Sequence, residues 1–299
     1  LSQSLYVLPG QEDLAQSILQ ESAWHKGAME IREFPDGENY VRVLDDVSGR
    51  SVVILCQLHK PDTKILPLLL LADTLRDLGA VKIGLIAPYL AYMRQDCRFK
   101  TGEGITSHYF AKLLGQHIDW LITVDPHLHR IHDLNEVYPI PATALTAVEP
   151  IANWVSAHVT KPLIIGPDSE SEQWAASVAK AVGCPWEVLE KQRFGDRDVK
   201  ISVPHVSDYK DHTPVLVDDI ISTGKTMMQA AVHLRQAGLC SPICLAVHGV
   251  FADGALDEMT QAGLRVVTCN SIADASNRID LAPLIIDGLI KTGFTLEYQ

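Results

Sequence analysis

The sequence predicts an α/β fold of two related domains, each a mostly parallel sheet flanked by helices. Short runs rich in β-branched residues alternate with segments of helical period, as in strand–helix–strand units of parallel sheets. One such block recurs. It reads Val52–Cys56, Lys64–Leu78, Val81–Ala87 in the first half and Val215–Val217, Met227–Ala237, Ile243–Val247 in the second. Each helical segment is closed by a glycine, Gly79 or Gly238, the residue that helix C-termini favour. The two glycines stand about one domain length apart. The boundary is therefore placed near Val148–Thr160, giving domains 1–148 and 149–299.

With 299 residues, 47% of them hydrophobic and 21% charged, the chain can bury a core in each domain. A formal net charge of -12 argues against a nucleic acid or an anionic membrane as partner. Phosphate chemistry must then rest on local basic residues. The richest apolar run, Ile65–Ala72, is far too short to span a bilayer. With no basic-then-apolar signal segment at the N-terminus, a cytoplasmic protein is expected. Cys56, Cys97, Cys184, Cys240, Cys244 and Cys269 show no CxxC spacing. Free thiols in a reducing compartment are the expectation, and Cys240 with Cys244 as a metal pair is the weaker alternative.

In chain order, Phe34-Pro35-Asp36-Gly37-Glu38 is a turn carrying a ring and two acids. It is either a plain exposed turn or a platform that stacks on a base and accepts from its exocyclic amine. After Val52–Cys56 the loop reads Gln57-Leu58-His59-Lys60-Pro61-Asp62, with neither an aspartate pair nor a glycine. Tyr89–Glu103 includes Arg94-Gln95-Asp96-Cys97-Arg98, Lys100 and a glycine-flanked acid. This basic loop reads equally as surface charge or as arginine contacts to a polyphosphate. Leu121–Val124 leads into Asp125-Pro126-His127-Leu128-His129, and Leu163–Ile165 into Gly166-Pro167-Asp168-Ser169-Glu170-Ser171. Polar groups just past parallel strands are well placed to converge on a ligand. Magnesium prefers oxygen and keeps several waters, which makes Asp168 its more natural partner and the histidines minority ligands or ordinary loop residues. A strand over Trp186–Leu189 precedes Lys191-Gln192-Arg193 and Gly195-Asp196-Arg197-Asp198. In extended backbone Lys191 and Arg193 share a side. They form either a solvated face or a cation pair for charge developing on a transferring phosphoryl group.

The densest signal is Pro214-Val-Leu-Val-Asp218-Asp219-Ile-Ile-Ser222-Thr223-Gly224-Lys225-Thr226. An apolar strand ends in two carboxylates, a hydroxyl- and glycine-bearing turn follows, and a helix begins. Free backbone N–H groups and hydroxyls at a helix N-terminus bind phosphate, and paired carboxylates accept from vicinal sugar hydroxyls. Together they describe a site for a phosphorylated ribose. Gly224-Lys225-Thr226 also mimics the tail of a P-loop, but the first glycine of that motif would fall on residue 219, an aspartate. The P-loop reading fails.

Read in order, Phe34–Glu38, Pro88–Glu103, Asp125–His127, Pro167–Asp168, Lys191–Arg193 and Val217–Thr226 resemble the ribose-phosphate pyrophosphokinase (PRPP synthetase) family. The wording Asp-Asp-Ile-Ile-Ser-Thr-Gly looks closest to its archaeal-type branch. The aspartate-pair loop alone is shared with phosphoribosyltransferases, whereas the six segments in this order are specific. The resemblance implies two phosphoribosyltransferase-like domains. It implies transfer of the diphosphoryl group of Mg-ATP to the C1 hydroxyl of ribose 5-phosphate, giving PRPP and AMP. On that basis Asp218 and Asp219 hold the ribose hydroxyls, and Ser222, Thr223, Gly224, Lys225 and Thr226 hold the 5-phosphate. Lys191 and Arg193 stabilise the transition state from a flap, His127 and Asp168 coordinate Mg2+ directly or through water, and Arg94 and Gln95 contact ATP. Phe34, Asp36 and Glu38 complete an adenine site shared between subunits of a homo-oligomer. The chain departs from the family pattern at Lys225, at Ser169-Glu170-Ser171 and at Gln192. A non-catalytic regulatory relative is the second reading. A PRPP-consuming phosphoribosyltransferase is the third, and it leaves Phe34–Glu38 and Lys191–Arg193 without a role.

Overall fold

The structure is a computed structural model of the chain, and it describes residues 3–128, 130–194, 198–202 and 206–294. The chain divides into two compact units: residues 147–270 with 274–280 form the second, and the other described residues form the first.

In the first unit the strands are β1 (Ser4–Val7), β2 (His25–Lys26), β3 (Met29–Glu33), β4 (Asn39–Val43), β5 (Ser51–Leu55), β6 (Lys82–Ala87), β7 (Trp120–Val124) and β8 (Ala142–Leu145). The helices are α1 (Glu12–Glu21), α2 (Ile65–Asp77) and α3 (Thr106–Leu114). Six strands form one sheet in the order β2-β1-β5-β6-β7-β8, and every pairing in it is parallel. Val52 to Leu55 are all buried, so this strand is apolar on both sides and does not alternate. Helix α2 covers the sheet with Leu68, Leu71, Ala72 and Leu75, a single stripe of helical period. Strands β3 and β4 form a separate antiparallel hairpin.

In the second unit α4 (Val148–His158) leads into β9 (Pro162–Gly166), α5 (Glu172–Val182), β10 (Trp186–Val188), β11 (Glu190–Phe194) and β12 (Asp198–Ser202). There follow β13 (Thr213–Ile221), α6 (Lys225–Gln236), β14 (Ile243–Gly249), α7 (Ala255–Gln261), β15 (Arg265–Cys269) and β16 (Asn277–Ile279). The sheet order is β10-β9-β13-β14-β15-β16, again parallel throughout, with β11 and β12 as a separate antiparallel hairpin. This repeats the first unit strand for strand, with a hairpin inserted at the same point, after the second strand. The recurring block in the sequence corresponds to β5-α2-β6 and β13-α6-β14.

Two boundaries differ from the sequence reading. The last helix, α8 (Ala282–Thr292), falls within the expected domain 149–299 but lies with the first unit. There it packs against α1 and β8. Gly288 permits this close approach, since a Cβ there would stand 2.7 Å from the Leu145 methyl carbons. The strand expected to stop at Val217 continues to Ile221, because pairing with β14 runs on through Ile221 opposite Gly249. Both aspartates therefore sit on the strand and not on the loop beyond it.

Candidate active site

In the second unit the chain runs from β9 to β10 on one flank of β9 and then to β13 on the other. That reversal opens a crevice beyond the carboxyl ends of β9 and β13, where ligands of open parallel sheets bind. Asp168 lies two residues past β9, while Asp218 and Asp219 lie near the end of β13.

Asp168 is held by a local cap. Its Oδ1 accepts from the amides of Glu170 (3.2 Å) and Ser171 (3.3 Å), and the Ser171 hydroxyl donates to the Asp168 carbonyl (2.7 Å). Ser169-Glu170-Ser171 forms the short turn that this cap begins. The Glu170 side chain is exposed, so its contact with Asp168 is through the amide and not the carboxylate.

Asp218 is the most perturbed group in the crevice. Burial, then the charges of Asp219 and Asp168, push its carboxyl up to about 8, while the Asp219 amide, donating to Asp218 Oδ1 at 3.0 Å, pulls the other way. Three carboxylates thus converge, and one is disfavoured as an anion unless positive charge or hydrogen-bond donors arrive.

The turn after β13 is fixed from behind. The Val250 amide donates to the Ile221 carbonyl (2.9 Å) and the Ala252 amide to the Ser222 carbonyl (3.1 Å). Gly224 caps α6 with φ 67, a left-handed backbone that costs other residues about 1–2 kcal/mol. A Cβ there would lie 2.5 Å from Met259 Sδ, and Met259 is fully buried. Gly224→Ala is therefore expected to lower unfolding stability by about 2 kcal/mol, read from urea midpoints. Ser222 and Thr226 are half-buried, whereas Thr223 and Lys225 are exposed. The Lys225 amide donates to Thr223 Oγ1 (3.5 Å), and the amides of the first turn of α6 sit at the positive end of its dipole.

Lys191 and Arg193 occupy alternate positions of β11, opposite Ile201 and Val199 of β12. Residues 195–197, within the glycine-containing segment that follows, fall outside the described residues, as does His129.

The first unit concentrates strained backbone at the same edge of its sheet. Lys60 (φ 53), Tyr92 (φ 64), Asp125 (φ 34) and His127 (φ 56) all adopt left-handed conformations just past β5, β6 and β7. Non-glycine residues held this way cluster at functional sites. The His127 amide donates to the Asp125 carbonyl (2.8 Å), closing a tight turn. Arg94 is exposed, while Gln95 is half-buried and its Oε1 accepts from the Thr106 hydroxyl (3.3 Å). Asp96 is paired with Arg130, and the Tyr92 hydroxyl donates to Asp62. Sequence reasoning missed these two partnerships because each joins different loops.

Phe34–Glu38 is the tip of the β3–β4 hairpin and is exposed throughout, Phe34 by 39%. The Arg32 guanidinium lies 4.6 Å from the Phe34 ring centroid and 4.2 Å from that of Tyr40, so one cation splints both rings. The Glu38 amide donates to Asp36 Oδ1 (3.3 Å) and Gly37 supplies φ 91 for the turn.

All six cysteines are free. Among the described residues no group of three or more His, Cys, Asp or Glu is arranged to hold a metal by itself, and no helix is long and apolar enough to cross a membrane.

Comparison with known proteins gives a consistent result. Residues 4–117 match a family profile described as the N-terminal domain of ribose phosphate pyrophosphokinase, and residues 134–277 match the phosphoribosyl transferase domain. The chain is 36% identical over 265 residues to the ribose-phosphate pyrophosphokinase of Pyrococcus abyssi, covering 89% of this chain and 90% of that one. The corresponding protein of Methanothermobacter thermautotrophicus is 35% identical, with 87% and 90% covered. The crystal structure of phosphoribosylpyrophosphate synthetase from Mycobacterium smegmatis superposes with a TM-score of 0.84 at 24% identity over 98% of this chain and 99% of that one. That match shows the shared fold.

Proposed function

The chain belongs to the ribose-phosphate pyrophosphokinase family, and we propose that it transfers the β,γ-diphosphoryl group of ATP to the C1 hydroxyl of ribose 5-phosphate, yielding PRPP and AMP. The observation that carries this reading is the crevice of the second unit, where a half-buried Asp218, pushed up to about 8 by desolvation and by Asp219 and Asp168, lies beside a phosphate-type helix N-terminus. Hydroxyl donors from a ribose relieve the carboxylates, and the 5-phosphate takes the amides and hydroxyls of Ser222–Thr226.

The attacking group is a sugar hydroxyl, so the protein supplies position and charge and no covalent nucleophile. Asp218 and Asp219 orient the ribose, Lys191 and Arg193 stabilise the charge that develops on the transferring group, and Arg94 and Gln95 bind the nucleotide phosphates. Asp168 offers the carboxylate oxygen that magnesium prefers, and the ion would keep most of its own waters, since among the described residues no group of three or more His, Cys, Asp or Glu is arranged to hold it alone. Asp168 would hold it directly or through water, and the family resemblance gives His127 the same role. Magnesium, when bound, neutralises phosphate charge. The protruding tip with Phe34, Asp36 and Glu38 supports a homo-oligomer in which one subunit's tip completes the adenine site of its neighbour. A cytoplasmic setting, where ATP and free thiols coexist, suits this reading.

A phosphorus NMR time course with ATP, magnesium and ribose 5-phosphate tests it. AMP and PRPP are expected to appear together, and their absence with both substrates and metal present would sink the proposal. A non-catalytic relative would bind without forming AMP, and a phosphoribosyltransferase would consume PRPP only with an added base.

A further inference from the structure

Two loops leave the carboxyl edge of the neighbouring strands β6 and β7, and one ion pair ties them together. The Asp96 side chain is only 4% exposed, and Arg130 Nη1 lies 2.9 Å from its Oδ1 and 3.3 Å from its Oδ2. The same guanidinium sits 5.3 Å from the Phe99 ring centroid. A carboxylate this enclosed depends on its cation, since neither water nor a second charge replaces it cheaply. Arg130 is 56% exposed, so removing its side chain leaves no internal cavity.

The placement of the pair gives it a role. Asp96 directly follows Gln95, whose side chain is tied to Thr106 and whose carbonyl accepts from the Ser107 amide (3.4 Å). Arg130 stands three residues past His127, whose turn is held in left-handed backbone. We propose that Asp96 and Arg130 are positioning residues, whose pair holds the Arg94–Gln95 segment in fixed relation to the His127 turn and so prepares the nucleotide side of the first unit. The inference rests on the roles given above to Arg94, Gln95 and His127. A loop ordered before ATP arrives costs less to bind, so the pair acts on affinity more than on the chemical step.

The test compares Asp96→Asn, Arg130→Gln and the double variant in steady-state kinetics, in calorimetric titration with ATP and in hydrogen exchange without ligand. Each single variant is expected to raise KM and Kd for ATP about tenfold, with KM for ribose 5-phosphate within about twofold. The double variant should be no worse than the worse single, because one pair is broken only once. Amide exchange over residues 94–105 and 125–131 should quicken in all three. A fall in melting temperature with unchanged ATP affinity would mark a merely structural pair and overturn the proposal. Additive losses in the double variant would show that each residue acts independently, with the same consequence. If the wild type forms no AMP, the reading of function fails on its own, and the clamp still stands or falls by the calorimetric and exchange results.

Discussion

Replacing Lys191 by alanine is expected to cut kcat about a thousandfold while leaving KM for ATP within about threefold. The transferring diphosphoryl group gains its extra charge only as the bond to the leaving AMP breaks. A cation placed for that moment stabilises the transition state more than the bound substrate. Lys191 and Arg193 stand at alternate positions of one strand. Lys191→Arg should recover part of the rate, since charge is kept while geometry changes. Steady-state kinetics with ATP as the varied substrate decides the matter. A rise in KM matched to the fall in kcat/KM, with kcat unchanged, would move Lys191 from transition-state stabilisation to simple ATP binding.

Asp218→Asn should produce two effects of opposite sign. Ribose 5-phosphate binding is expected to weaken about a hundredfold, the loss from charge-assisted hydrogen bonds to the ribose hydroxyls. The ligand-free protein should become more stable. The folded Asp218 carboxyl is pushed up to about 8 from an ordinary 3.8 by burial, Asp219 and Asp168. Between those two values the folded chain keeps a proton that the unfolded chain has released. Stability therefore declines as pH rises through that window and levels off above it. Asparagine is neutral throughout. The advantage of the variant in urea midpoints should be small near pH 4, larger at pH 6 and greatest near pH 8, measured without substrate or metal. An equal gap at all three would show that Asp218 is not destabilised as an anion. Such a site gives up stability in its empty state for affinity in its loaded one.

The two hairpins acquire a common explanation from the topology. β3–β4 follows the second strand of the first unit, and β11–β12 follows the second strand of the other. They are one inserted element used twice, with Phe34, Asp36 and Glu38 on the first and Lys191 and Arg193 on the second. The sequence reading treated the first as a turn and the second as an extended stretch, because each strand is short and partly polar. Neither has the continuous apolar run that reveals a buried strand.

Much of the chain was legible from local chemistry. The strands Val52–Leu55, Leu163–Ile165 and Val215–Val217 are fully buried, as their unbroken apolar runs require. Gly79 and Gly238 close their helices with φ 95 and 90, and Gly224 begins α6 at φ 67. These features are set by a few consecutive residues, so the sequence alone determined them, together with the identity of the residues proposed to meet a phosphorylated ribose. Other properties depend on segments far apart in the chain. The order β10-β9-β13 brings Asp168 beside Asp218, adding its charge to the burial and to the adjacent Asp219 that displace the Asp218 carboxyl. The return of α8 to the first unit and the Asp96–Arg130 pair arise in the same way. Backbone pairing between distant strands leaves no local pattern. The sequence therefore determined which groups the β13–α6 loop would carry, and the tertiary structure decided which charges would face them.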